Sequence, residues 1–134
     1  MRLFPLVLTF ILFSSVSLAS LDYPPITFYG NFTEGEKHEI IKSIILFEPE
    51  HFKNVKRVDF YSYDYLKKGK YVCGSALAED YGGFYCKNGR MIVDKKGIDY
   101  DLNHFLYHEL THAKCWKKER SMSHDSKCFT NGLV

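Results

Sequence analysis

The chain has 134 residues, and its 18 Lys and Arg against 16 Asp and Glu leave a formal charge of +2 at neutral pH. A charge this close to balance gives no support for nucleic-acid binding through a basic surface. The hydrophobic content of 46%, with 11 Phe and 10 Tyr, excludes disorder for most of the chain. The length predicts a single folded domain, which we expect to be a monomer.

The first 19 residues have the pattern of a secretory signal peptide. Arg2 places a positive charge ahead of an apolar run at residues 3–13, and Ser17-Leu18-Ala19 puts small residues where a signal peptidase reads them. We predict cleavage after Ala19, giving a secreted or periplasmic mature chain of residues 20–134. The alternative is an uncleaved membrane anchor, but the apolar run is shorter than the roughly 20 residues that span a bilayer. No second segment is long enough, so we expect no membrane insertion after cleavage.

The mature chain is expected to form an α+β domain with an N-terminal helix, a small mixed or mostly antiparallel sheet and a second helix. Residues 21–32 contain a Pro-Pro pair and are not expected to be helical. Thr33 followed by Glu36 has the form of a capping box, and the apolar spacing after it predicts a helix at residues 34–47. Branched and aromatic residues then predict short strands at residues 55–63, 71–78, 83–87 and 90–94.

An even number of cysteines lies beyond the predicted signal peptide: Cys73, Cys86, Cys115 and Cys128. In an exported chain this predicts two disulfides. Three pairings are possible, and closeness in sequence favours Cys73 with Cys86 and Cys115 with Cys128. None of the spacings is C-x-x-C, so a four-cysteine zinc site is the weaker interpretation.

The second predicted helix begins near residue 99, where Asp99 or Asp101 can act as its cap, and continues to about residue 118. On a helical wheel its residues separate into two faces. The apolar stripe consists of Leu102, Leu106, Leu110 and Ala113. The polar face consists of Asn103, Tyr107, Thr111 and Lys114.

This helix contains His108-Glu109-Leu110-Thr111-His112, which is the H-E-x-x-H pattern. Histidines at i and i+4 project from one helical face a turn apart, so both imidazoles can bind one metal ion with Glu109 beside them. The three residues flank the apolar stripe, where an unpaired carboxylate is costly unless a cleft with a metal and water receives it. We therefore predict one Zn²⁺ bound by His108 and His112, with Glu109 as the catalytic general base that takes a proton from a metal-activated water.

The motif resembles that of the zincin metallopeptidases, in which the two His bind zinc and the Glu is the general base. The resemblance covers the helix and the residues after it, about a quarter of the predicted mature chain. The metzincin extension is excluded, because it needs Gly and His where this chain has Cys115 and Lys118. The resemblance implies a minimal zincin-like domain with a short C-terminal segment that hydrolyses a peptide or protein substrate. In zincins the substrate lies along an edge strand, for which residues 90–94 are the candidate.

A third metal ligand is expected downstream of the motif. Glu119 would lie about 10 Å along a continuous helix from His112, too far to share its ion. His124 and Asp125 remain, and His124 is preferred because a turn at residues 121–123 and a bridge from Cys115 could return the chain to the helix. Asp125 is then either a partner that orients His124 or an ordinary turn residue.

The layout of this third His is most similar to that of SprT-like zincins, in which a polar residue and then an aromatic come after it. Here these would be Asp125 and Phe129, with the aromatic displaced by one residue and Lys114 at a position that is usually apolar. Two other classes stay open. One is a secreted disulfide-stapled module that binds metal or protein without catalysis, and the other is a structural domain without metal. A Glu between the two His is unnecessary for binding alone, which favours the peptidase.

Overall fold

A computed structural model describes residues 15–16 and 22–133 of the chain. The elements in chain order are β1 (Ser15–Val16), β2 (Ile26–Tyr29), α1 (Glu34–Ile44), a 3₁₀ helix (Pro49–Phe52), β3 (Arg57–Tyr61), β4 (Tyr71–Val72), β5 (Ser75–Ala76), β6 (Gly83–Tyr85), β7 (Arg90–Val93), α2 (Lys95–Glu119) and α3 (Lys127–Asn131). The predicted signal peptide, apart from the two residues of β1, and its cleavage point after Ala19 lie outside the described residues. Among the helices described, none has the length and apolar character needed to cross a membrane.

Five strands form a mixed sheet in the order β1-β2-β3-β7-β6, which confirms the expected α+β class. The three central strands β2, β3 and β7 are parallel, while β1 and β6 pair antiparallel at the two edges. The prediction that residues 90–94 form the edge strand is wrong. Because the turn at residues 86–89 folds β6 back beside β7, β7 lies between β3 and β6, and β6 takes the edge.

The sheet lies between a helical layer and a loop layer. The face toward α1 and α2 carries buried side chains that form the main core with both helices: Ile26, Phe28, Val58, Phe60, Met91 and Val93. The opposite face is covered by the segment at residues 62–82. Its smaller cluster contains Tyr61, Leu66, Val72, Leu77, Cys86 and Ile92. Burying both faces is what allows the central strands to be parallel.

Helix α1 begins where the capping box predicts. Thr33 Oγ1 accepts the N–H of Glu36, and the Glu36 carboxylate accepts the N–H of Thr33. The helix ends at Ile44, three residues earlier than expected, and the Phe47 carbonyl accepts the Tyr23 hydroxyl. The described part of the segment expected to be non-helical, residues 22–32, is not helical, but it contains β2, a strand that the proline pair concealed.

The predicted strand at residues 71–78 is instead a two-stranded hairpin of β4 and β5. Cys73 and Gly74 both have positive φ, so the backbone turns where a single strand would have continued. Cys73 forms a disulfide with Cys86 at a Cα–Cα distance of 5.9 Å. This bond ties the hairpin to the residue directly after β6.

Helix α2 begins four residues earlier than predicted, at Lys95. The carboxylate of buried Asp94 accepts the N–H groups of Lys96 and Gly97, and thereby caps it. Asp101 has non-helical φ and ψ of −164° and 89°, which breaks α2 into two parts. The Asp101 carboxylate accepts the N–H of His104, so it caps the second part, as predicted. Asp99 does not cap, because its carboxylate pairs with Lys95.

Candidate metal centre

The second part of α2 presents the histidines to a cleft because its apolar stripe is anchored in the core. Leu106, Leu110 and Ala113 are fully buried against the sheet, as the helical wheel predicts. This fixes the rotation of the helix about its axis. His108 and His112 therefore lie at the border between the core and solvent, with His112 buried and His108 half-buried.

His124 lies beside His108 and His112 because the chain reverses direction after α2. Arg120 ends α2 in the left-handed conformation, with φ of 55°, and the chain turns back through residues 121–126. A disulfide between Cys115 and Cys128, with a Cα–Cα distance of 5.7 Å, ties the returning segment to the helix. Both disulfides thus match the pairing that closeness in sequence favours, and two disulfides indicate an oxidising compartment.

The three imidazoles converge as a group that could hold a metal ion. The Nε2 atoms of His112 and His124 are 3.0 Å apart, and the ligand atoms of His108, His112 and His124 all lie within 4.8 Å of one another. Two nitrogens bound to one tetrahedral zinc at 2.0–2.1 Å would be roughly 3.4 Å apart, so small side-chain rotations suffice. Three neutral imidazole nitrogens form a donor set that can hold a divalent metal ion, so the residues present fit such an ion.

Glu109 lies beside this cluster inside the protein. Glu109 is only 3% exposed, and its Oε2 is 4.0 Å from Nε2 of His108. Burial raises the pKa of Glu109 to about 8, while a hydrogen bond donated by the backbone N–H of Tyr85 acts in the opposite direction. The carboxylate is therefore held between strand β6 and the histidines.

The environment keeps the two helix histidines neutral. Burial, followed by the nearby His124 and His104, lowers the pKa of His108 to about 4. Burial, followed by His108 and His124, lowers the pKa of His112 to about 3. Neutral imidazole is the form that binds metals, so protons compete weakly for these nitrogens near neutral pH.

One aromatic ring supports all three imidazoles. The ring centroid of Phe129 is 5.1 Å from that of His108, 4.7 Å from that of His112 and 4.8 Å from that of His124. Phe129 belongs to α3, a five-residue helix that the sequence did not predict and that Ser126 caps. Phe129 forms a wall of the cluster.

Helix α3 and the residues after it also cover part of the face that was expected to be polar and exposed. Thr111 is buried, contrary to that expectation, and its hydroxyl donates to the Tyr107 carbonyl. The Lys114 ammonium donates to the carbonyl of Gly132, and the Tyr107 hydroxyl accepts the N–H of Leu133. These contacts explain how a polar helical face can be covered by a short terminal segment.

The cluster opens into a cleft of about 410 Å³ between α2, strand β6 and the hairpin. Its lining includes Gly83, Phe84, Tyr85, His108, Glu109, His112 and His124. A Cβ at Gly83 would lie 3.1 Å from Phe105 Cδ1 and 3.3 Å from Glu109 Oε2, so a larger residue would crowd the carboxylate. Sequence reasoning missed this glycine, because its requirement comes from a contact between distant segments.

The other candidate residues lie outside the cluster. Asp125 is exposed and its backbone N–H donates to Ser123 Oγ, and among the described residues its carboxylate accepts no hydrogen bond from His124. Glu119 is exposed at the end of α2 and is not part of the ligand group. His104 is exposed one turn before His108, with a ring separation of 6.1 Å.

Comparison of the chain with protein-family models, curated proteins and solved structures finds no match.

Proposed function

We propose that the protein is an exported zinc-dependent peptidase in a zincin-like arrangement. One observation carries this proposal: three imidazoles from two separate elements converge within 4.8 Å while a buried carboxylate lies 4.0 Å from one of them. Metal binding alone would need only the imidazoles. A buried Glu109 is costly to the fold, and a role in proton transfer accounts for its position beside an open cleft.

The residues around the cleft have different roles in the proposed reaction. His108, His112 and His124 would hold the zinc, which when bound supplies a Lewis acid for a carbonyl oxygen and lowers the pKa of a bound water. A cation held by the imidazoles would favour the ionised form of Glu109. Glu109 then takes a proton from the attacking water and returns it to the leaving amine. The N–H of Tyr85 orients the Glu109 carboxylate, and the Phe129 ring limits the positions open to the imidazoles.

The edge strand β6 offers the surface along which a peptide could lie. The ladder pairs Phe84 with Ile92, and the adjoining bonds are Asp94 N–H to Gly82 O and Cys86 N–H to Arg90 O. This alternation points the backbone groups of Gly83 and Tyr85 away from β7 and toward the cleft. An extended substrate could add to this edge beside Glu109, in the mode of β-strand addition.

The test is metal content and peptide cleavage in matched variants. Wild type is expected to hold about one zinc per chain and to cleave peptides, and His124→Ala to lose the zinc. Glu109→Gln should retain zinc but lose cleavage, since the amide cannot accept the proton. His104→Ala is the control, because His104 is exposed on the same helix and outside the ligand group.

The outcomes separate the alternatives. Zinc bound without cleavage of any member of a peptide library would favour a metal-binding module without catalysis. No zinc in protein purified without a His tag would leave only a disulfide-stapled structural domain. Unchanged zinc in His124→Ala would show that His124 is not a ligand.

A further inference from the structure

A second depression lies beyond the end of strand β6 and is strongly basic. It has a volume of about 300 Å³, and five cationic side chains line it: Lys53, Lys56, Lys87, Lys117 and Arg120. We call it the basic pocket. No Asp or Glu lines it among the described residues, whereas the whole chain has a net charge of only +2. Like charges brought this close repel one another, so the arrangement needs an explanation.

The only indole of the chain forms one wall of the basic pocket. The Lys87 ammonium lies 4.7 Å from the ring centroid of Trp116, and the Arg120 guanidinium lies 5.6 Å from it. Cation–π contact of this kind holds two positive groups in place without neutralising them. Lys53 forms a salt bridge with Glu50, with 2.8 Å between Nζ and Oε2. The other four cations have no carboxylate partner in the described part of the chain.

The C-terminal dipole of α2 does not account for this charge. Lys117 and Arg120 do lie at the negative end of that helix, where cations are favourable. Lys53, Lys56 and Lys87 come from other segments and have no such reason to be there. Arg120 also has a φ of 55°, a helix-end position that usually selects glycine because a side chain there is strained. Arg120 occupies it with its guanidinium over Trp116.

The basic pocket adjoins the cleft of the candidate metal centre. Tyr85 and Lys87 line both, and the Tyr85 N–H contacts Glu109. Lys87 comes two residues after Tyr85, in the turn that follows β6, so the Cα atoms of the two residues lie at most about 7 Å apart. A peptide extended along β6 would therefore bring a side chain two to four residues from the reacting bond to the basic pocket.

We propose that the basic pocket selects substrates by binding an acidic side chain, Asp or Glu, two to four residues to one side of the scissile bond. This inference rests on the proposed function for its context, but the binding can be measured without cleavage. The pocket takes a carboxylate between Lys87 and Arg120, and the apolar part of the side chain lies against Trp116. Attraction of this type weakens as salt is added.

The experiment uses Trp116 fluorescence, since this is the only indole in the protein. The zinc-loaded Glu109→Gln protein is titrated with three ten-residue peptides. Two carry a Glu pair on the N-terminal or the C-terminal side of the centre, and the third carries Gln instead. We expect one Glu peptide to bind about tenfold more tightly than the Gln peptide at low salt. Wild type should cleave the same peptide with the highest kcat/KM.

Two variants and a control make the assignment specific. Lys87→Gln and Arg120→Gly should each remove most of the preference for Glu, and Arg120→Gly relieves the positive φ, so it should fold. Lys67→Gln alters an exposed lysine of the segment covering the opposite sheet face and should change nothing. Equal binding of the Glu and Gln peptides would overturn the proposal, as would binding of a sulfated polysaccharide at Trp116 without binding of acidic peptides. Selective binding without cleavage would count against the proposed function only.

Discussion

The contact between Gly82 and Gly97 joins the start of β6 to the first turn of α2, and substitution there should destabilise the protein. A Cβ on Gly97 would lie 2.2 Å from the Gly82 carbonyl oxygen and 2.8 Å from its carbon. A normal carbon–oxygen contact is about 3.3 Å, so two backbones would have to separate by about 1 Å. Such overpacking costs up to about 3 kcal/mol, against a gain of about 1 kcal/mol in helix propensity. We expect Gly97→Ala to lose about 2 kcal/mol.

The assay is thermal and denaturant unfolding, in which this loss corresponds to a fall in Tm of about 10 °C. Gly35→Ala is the matched control, because a Cβ at that helical glycine meets nothing closer than 3.9 Å. It should be neutral or stabilise by up to about 1 kcal/mol. If Gly97→Ala were as stable as the wild type, the close approach of the two backbones would be disproved.

Three further predictions concern pH, the sheet and the aromatic wall. In metal-free protein, the raised pKa of Glu109 favours the fold at low pH, and this contribution is lost as pH rises from about 4.5 to about 8. The free energy of unfolding of the wild type should therefore fall relative to that of Glu109→Gln over this window, and the difference should stay constant outside it. Asp59 is buried, and its Oδ2 lies 2.6 Å from Nε of Arg90 in a salt bridge. Asp59→Ala should lower the free energy of unfolding in urea by about 3 kcal/mol, and a loss below about 1 kcal/mol would contradict this. Phe129→Ala should weaken zinc binding about tenfold in chelator competition, and unchanged affinity would show that the ring does not hold the imidazoles.

Features encoded over short stretches of sequence could be predicted. The capping box of Thr33 and Glu36 needs only residues three apart, and the apolar period of α2 places His108 and His112 on one side. The return of His124 was also inferred, because a turn and a cysteine come after the helix. In each case the decisive interaction joins residues that are close in the chain, so composition and spacing carry the information.

Features that depend on pairing between distant segments were missed. The sequence near residues 83–93 does not indicate that β6 lies at the sheet edge and β7 in the interior. This order results from the parallel pairing of β7 with β3. Asp94 caps α2 in place of Asp99 because its carboxylate also accepts N–H groups from Tyr65 and Leu66, in a segment about 28 residues away. The burial of Thr111 likewise requires the fold of the chain end.

The Cys115–Cys128 disulfide couples assembly of the histidine cluster to the redox history of the chain. Cys115 lies three residues after His112 and Cys128 four residues after His124, so the bond spans the two parts that contribute imidazoles. While the thiols remain reduced, only non-covalent contacts hold the returning segment against the helix, and ordering it opposes capture of an ion. If the cluster holds an ion as proposed, we expect the oxidised chain to bind it more tightly than the reduced chain.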